Sequence, residues 1–330
     1  MRRAVRLITS TFAIGTILVC HTASPARAQS YPTKPISLII PFAVGGSNDT
    51  LARIITERMR VTLGQPFVIE NITGAGGTIA VGKVARAGPD GYTLSLGSVS
   101  SHVINGGIYP LDYDLAKAFA PVALLSSSPL VIVAKTAHGD KNLARFIDWL
   151  KANPDKAWQG TAGVGNITHI AGIRFQQQTG TRFGFTPYRG SAPASQDLIA
   201  GRIDFMIDPA ATAVPPILAG TIMALAVAGP KRLPSLPDLP TVDEAGLPGF
   251  HITIWNAIWA PAGTPRPVID KLNKAIVAAL AESAVQKRLS ELGQNVPPAA
   301  EQTPESLGRL HAQEIERWWP IAKAAGIKLE

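Results

Sequence analysis

One cysteine, Cys20, is all that the 330 residues contain. That excludes a disulfide framework and Cys-ligated zinc, and leaves Cys20 alone to supply any thiol. A chain of this length buries enough core to be exported without disulfides. Charge is equally sparse, at 16% of residues, and aromatic side chains make up 6%. With no low-complexity tract and no repeat of fixed period, a disordered tail, a coiled coil and a repeat array all drop out. Catalytic spacings are missing too. His102, His138, His169, His251 and His311 form no H-x-H or H-E-x-x-H pattern, and no G-x-S-x-G elbow occurs.

Met1 to Ala28 has the layout of a cleaved secretory leader. Arg2, Arg3 and Arg6 form a basic start, Leu7 to Val19 an apolar stretch, and Ala26-Arg27-Ala28 an A-x-A cleavage site. The apolar stretch is too short for a membrane span. Val19 fits poorly before a lipid-anchored Cys20. The formal charge of +8 is largely this leader: removing its four arginines leaves 27 basic against 23 acidic residues, or +4. Nucleic acid is therefore not expected as a partner. A bacterial periplasm is the expected destination.

The full chain is 46% hydrophobic, with 30 glycines and 27 prolines, and its length suits about two domains. The leader aside, a pattern recurs along it. Its rhythm is strand, glycine turn, helix. Ile36 to Ile40 reads as a buried strand, Pro41 to Asn48 as a turn, and Thr50 to Leu63 as a helix. Phe67 to Glu70 and Thr93 to Leu96 read as further strands. The pattern restarts with strands at Leu130 to Ala134, Trp158 to Thr161, Phe183 to Tyr188, Ile203 to Ile207 and Met223 to Val227. Helices are expected at Leu143 to Leu150, from near Thr168, and at Ser191 to Ala200. Prolines 230, 234, 237 and 240 leave no room for a helix, and Thr241 to Glu244 has capping-box spacing. Val268 to Leu280 carries a helical stripe, and Thr303-Pro304 starts a last helix running toward Ala325. Alternation of this kind predicts an α/β fold.

Two segments share one design. Ala43 to Asp49 and Thr161 to Thr168 each pass from a strand end through glycines into a helix. Such turns can hold a carboxylate on helix N-terminal amides. They can equally be ordinary loops in which Asn48, Asp49 or Thr168 caps a helix. Gly74 to Gly77 is a third such turn. Gly77 to Val84 mimics a P-loop as far as Lys83, but valine replaces the hydroxyl that binds magnesium. His169 reads as scaffold. Asp208, at a strand's carboxyl end, can face a ligand or cap the next segment. Trp255 and Trp259 read as core.

The stretch from Ile40 to Arg53 (IPFAVGGSNDTLAR) resembles the first loop of the Bug substrate-binding proteins, receptors of tripartite tricarboxylate transporters. Glu70 to Ile79, Pro187 to Ala194, Leu239 to Gly246 and Ala260 to Pro265 match the same family in order. The resemblance implies an α/β, two-lobed periplasmic binding protein fold of type II-like form. Each lobe would be a mixed sheet flanked by helices, with the ligand cleft between lobes. The expected division is residues 29–125 plus 256–330 against 126–255, with hinges near Leu125 and Trp255. The implied partners are a small carboxylate and membrane permease subunits, the receptor acting as a monomer, without cofactor, metal or catalysis. The implied ligand-binding set is Ala43, Gly45, Gly46, Ser47, Asn48, Asp49, Gly76, Ser98, Thr161, Ala162, Gly163, Gly165, Asn166, Thr168 and Asp208. Asn48 and Asn166 depart from the smaller or hydroxyl residues of the pattern, and Pro209 from its asparagine. The rival functions are a ligand sensor for a signalling partner and a periplasmic hydrolase or isomerase using Asp49, His169 or Asp208.

Overall fold

A computed structural model describes residues 31–324 with Gly326 and Ile327. The expected leader with Cys20, and Ala325, lie outside the described residues. Among the described residues, nine strands and ten α-helices occur in order. The first part of the chain forms β1 (Ile36–Ile40), α1 (Ser47–Leu63), β2 (Phe67–Asn71), α2 (Thr78–Ala85), β3 (Thr93–Ser98) and α3 (Val99–His102). Next come β4 (Phe119–Lys135), α4 (Leu143–Ala152), β5 (Trp158–Thr161), α5 (Ile167–Thr179), β6 (Gly184–Pro187) and α6 (Ser191–Ile199). The rest are β7 (Phe205–Pro209), α7 (Ala210–Leu218), β8 (Ile222–Ala228), β9 (Thr253–Pro261), α8 (Arg266–Ala281), α9 (Ser283–Glu291) and α10 (Pro304–Ala324).

The strands make two mixed sheets that share β4. The first runs β2-β1-β3-β9-β4, parallel among β1, β2 and β3 and antiparallel where β9 joins β3 and β4. The second is built on the far end of β4, with β8 on one side and β7-β5-β6 on the other. β4 pairs with β9 as far as Pro129, opposite Thr253, and from Leu130 onward with β7 and β8. Register shifts interrupt the β4–β9 ladder between Pro121 and Ala123 and between Leu124 and Ser126. Inner strands are apolar because helices cover both faces: Ile36, Leu38, Ile39 and Ile40 of β1 are fully buried. The fold is α/β, as the alternation predicts.

Several boundaries differ from expectation. α1 starts at Ser47, three residues before Thr50, because Gly46 serves as its N-cap. α5 starts at Ile167, and Asn166, not Thr168, is its cap: Asn166 Oδ1 accepts the Thr168 N–H at 3.1 Å. β4 extends over 17 residues where only Leu130 to Ala134 reads as strand. Pro121, Ser126 to Ser128 and Pro129 hide the rest from a propensity argument, whereas pairing along β9 holds it extended. α7 forms despite Pro215 and Pro216, and their carbonyls accept the N–H groups of Ala219 and Thr221. At Thr241 and Glu244 the reciprocal capping bonds form at 2.8 and 3.3 Å, yet no helix forms after them. Gly246, Pro248 and Gly249 arrive too soon to permit one.

Candidate functional site

The carboxyl ends of β1, β3, β5 and β7, and the loop after β6, meet between the two sheets. A small cavity of about 20 Å3 lies there, lined by Phe42, Gly46, Ser47, Asn48, Ser98, Ala162, Asn166, Ser191, Pro209 and Ile254. Most of these residues begin helices. Gly46 is the N-cap of α1, with Ser47 and Asn48 in its first turn. Asn166 and Pro209 are the N-caps of α5 and α7, and Ser191 is the first residue of α6. Ser98 precedes the short α3. Four helices of 9 to 17 residues thus end on one point. A helix N-terminus carries about half a positive charge and, where they are free, N–H donors; the first amides of α5 are spent on Ser100 Oγ and Asn166, so α5 contributes its dipole alone, and the convergence favours an anion.

Two hydroxyls sharpen this. Ser47 Oγ is buried on the cavity wall with no hydrogen-bond partner in the protein, and Ser98 Oγ beside it has only the capping contact from the Ser101 N–H, which leaves its own proton uncommitted. A buried hydroxyl without a partner costs about 1–3 kcal/mol, which a ligand acceptor removes. Asn48 reaches in from α1 and is fixed from behind, its Nδ2 donating to Asn256 Oδ1 on β9 at 3.1 Å.

The loops from the two sheets touch across the cavity. Ala43 N–H donates to Arg189 O at 3.0 Å, Tyr109 OH to Val164 O at 2.9 Å, and Ile167 N–H to Ser100 Oγ at 3.2 Å. At about 20 Å3 the space between them holds roughly one water.

Of the residues singled out from sequence, Gly46, Ser47, Asn48, Ser98, Ala162 and Asn166 line the cavity. Ala43 and Gly45 line a neighbouring, wider surface groove with Ala192 and Arg288. Gly76 backs the loop of Gly163: a Cβ on Gly163 would stand 3.8 Å from the Gly76 Cα. Thr161, Gly165, Thr168 and Asp49 shape the loops from within. Thr161 Oγ1 lies 3.5 Å from Gly163 O, and Thr168 Oγ1 accepts the Ala162 N–H at 2.9 Å. Gly165 N–H donates to His169 Nδ1 at 3.1 Å. His169 sits between the loop and Phe185, and burial holds its pKa below the usual imidazole value. Asp49 accepts the Gly45 N–H at 3.0 Å and a two-pronged pair of bonds from Arg53. Burial pushes the Asp49 carboxyl up, but Arg53 and the Gly45 N–H outweigh it and leave it below the ordinary carboxylate range.

Asp208 lies just behind the wall, 1% exposed, with Ser191 Oγ donating to its Oδ1. Sequence reasoning missed Ser191, Pro209, Phe42 and Ile254. A signal for Ser191 exists: Gly190-Ser191 repeats the glycine-to-helix design of the turns before α1 and α5.

A family model described as the tripartite tricarboxylate transporter family receptor matches residues 51–327. The chain belongs to this family. The receptor resembles the periplasmic binding protein BugD, with a TM-score of 0.86 and 38% identity over 91% of this chain and 100% of the other. It is similar to MatC from Rhodopseudomonas palustris with bound malate, with a TM-score of 0.84 and 38% identity over 88% of this chain and 100% of that one. A second R. palustris protein, with adipate, gives a TM-score of 0.85 and 35% identity over 90% and 99% of the two chains. The two-sheet α/β architecture of this receptor is therefore the periplasmic binding protein fold.

Proposed function

We propose that this receptor takes up a small organic carboxylate between two lobes, closes on it and presents it to the membrane permease of a tripartite transporter. The lobes are residues 29–125 plus 256–330 and residues 126–255, joined by hinges near Leu125 on β4 and Trp255 on β9. The leader at residues 1–28 directs the chain to the periplasm. The observation that carries this reading is the convergence of the α1, α5, α6 and α7 N-termini, with the unpartnered hydroxyl of Ser47 and the uncommitted proton of the Ser98 hydroxyl, on one cavity. The similar proteins with malate and adipate support the ligand class, since both molecules are dicarboxylates.

Binding works by difference. The α1 turn and Ser98 belong to one lobe, the α5, α6 and α7 starts to the other, so a carboxylate satisfies both sets only when the lobes are together. A cavity of about one water's size means that the lobes part for entry and exit. The receptor returns its ligand unchanged, acting as a monomer. A thermal-shift panel of mono-, di- and tricarboxylic acids tests the reading: a selective acid raises the melting temperature with the logarithm of its concentration. No response to any acid, or conversion of the acid to product, overturns it.

A further inference from the structure

Ser191 lines the cavity, and its Oγ is hydrogen-bonded to Asp208 Oδ1, with Ser191 7% and Asp208 1% exposed. A hydroxyl has one proton and two lone pairs. Against an ionised Asp208, the Ser191 proton is committed inward, and the cavity sees lone pairs only. Against a protonated Asp208 the bond reverses. The acid donates to Ser191 Oγ, and the Ser191 proton becomes free to point at a ligand.

Among the described residues, no cation fixes Asp208 in the ionised form. On the elements packed against β7, α6 carries Asp197, which is bound to Tyr188 and Arg202, and β4 carries Lys135, bound to Asp204. On α5, His169 is held by the Gly165 N–H and Arg174 by the carbonyls of Gly249 and His251. β5 and α7 have no titratable side chain. Burial pushes the Asp208 carboxyl up to about 7, with the hydroxyls of Ser191 and Thr212 opposing the rise. The α6 and α7 N-termini meanwhile favour negative charge on the cavity side of the pair.

We propose that Ser191 and Asp208 form a proton-linked specificity element, so that a ligand carboxylate seated at Ser191 binds together with one proton. The proton comes from solvent, attaches to Asp208 and is donated to Ser191 Oγ, while the Ser191 proton turns to the ligand oxygen. The net charge added to the site is then one unit smaller than the ligand's own. This deepens the carboxylate-receptor reading and rests on it.

Titration calorimetry of the full chain with malate and adipate, in two buffers of different ionisation enthalpy at pH 8, tests the proposal. The expected result is uptake of about one proton per ligand, with affinity falling about tenfold per pH unit above the Asp208 pKa. Asp208→Asn is expected to bind with buffer-independent heat and a flat pH profile. Ser191→Ala, which keeps the acid but removes the hydroxyl that communicates with it, should also lose the proton uptake. Tight binding by the wild type with no proton exchanged overturns the proposal and leaves the receptor reading intact. Failure of malate, adipate and the whole acid panel to bind overturns both.

Discussion

Asn48, on the cavity wall, donates its Nδ2 proton to Asn256 Oδ1 at 3.1 Å, and Asn256 Nδ2 donates onward to Ser126 Oγ at 3.3 Å. Ser126 Oγ in turn donates to Gln294 Oε1. Asn256 and Ser126 face each other on β9 and β4 beside a register shift, near where β4 changes sheets. A buried polar chain therefore links the candidate cavity to the crossing strands.

Removing its centre should be costly. Asn256 is fully buried, and Asn256→Ala leaves the Asn48 amide and the Ser126 hydroxyl short of a partner. Each deserted group costs about 1–3 kcal/mol. Urea denaturation should show a loss of about 2–5 kcal/mol. A loss under about 1 kcal/mol would mean that water replaces the chain without penalty.

Ser47 and Ser98 should behave differently. The Ser47 hydroxyl is buried without a partner, so Ser47→Ala removes a group that destabilises the ligand-free protein, and melting temperature is expected to stay level or rise. Ser98→Ala also gives up the capping contact from the Ser101 N–H, so its melting temperature is expected to stay level or fall slightly. Affinity for the carboxylate should fall about 10- to 150-fold per substitution, the range for a hydrogen bond to a charged group. For Ser47, parallel thermal melts and calorimetry distinguish this from simple damage, which would lower both.

Much of this was legible from residues alone, and the exceptions have physical causes. β1, α1 and the glycine turn between them announce themselves because apolar run, glycine pair and helical stripe occur in sequence order. The glycine turn into α5 is equally clear, although its cap is Asn166 and not Thr168. The N-terminal half of β4 was not legible, since prolines and serines there are held extended by β9, a partner far along the chain. The same holds for the site. Asp49 and Thr168 belong to the ligand-binding set that the resemblance implies, and their polar atoms bond to Gly45, Arg53, Ala162 and Asn166 within their own loops. Which donors remain for a ligand is decided by that internal bonding, which no spacing rule reports.

Lobe closure should be sensitive to two glycines. Gly190 has φ +132°, and a Cβ there would lie 3.1 Å from Ala43 N, the atom that bonds Arg189 O across the cleft. Gly163, at φ +137°, faces Tyr188 O and the Gly76 Cα. Gly190→Ala and Gly163→Val therefore strain the loop and hold the lobes apart, at a cost of roughly 1–3 kcal/mol each. Ligand affinity is expected to fall tenfold or more while the protein stays folded. Small-angle scattering with saturating acid should find the variants more open than the wild type; unchanged affinity in a folded variant would remove these loops from the closing contact.

Asp49 gives a pH dependence of definite sign. Its carboxyl lies below the ordinary range in the folded protein, so it binds fewer protons there than in the unfolded chain. The stability it contributes is full above the ordinary value near 3.8 and is lost as pH falls through the lower folded value. Arg53 is 56% exposed, so its half of the pair is screened and Arg53→Ala should cost under about 1 kcal/mol. Asp49→Asn also weakens the bond to the Gly45 N–H and should cost about 1–2 kcal/mol near pH 7. That difference from wild type should start to shrink as pH drops below the ordinary value near 3.8, where the unfolded chain takes up its proton, and be gone once pH is below the lower folded value and folded Asp49 is protonated too. Arg53→Ala carries a second consequence: it leaves the Asp49 charge uncompensated one residue beyond Asn48, which lines the proposed ligand cavity. Affinity should fall a few-fold at low salt and recover as salt screens the repulsion. An affinity loss that is independent of salt would show that Arg53 acts through the shape of the turn and not through its charge.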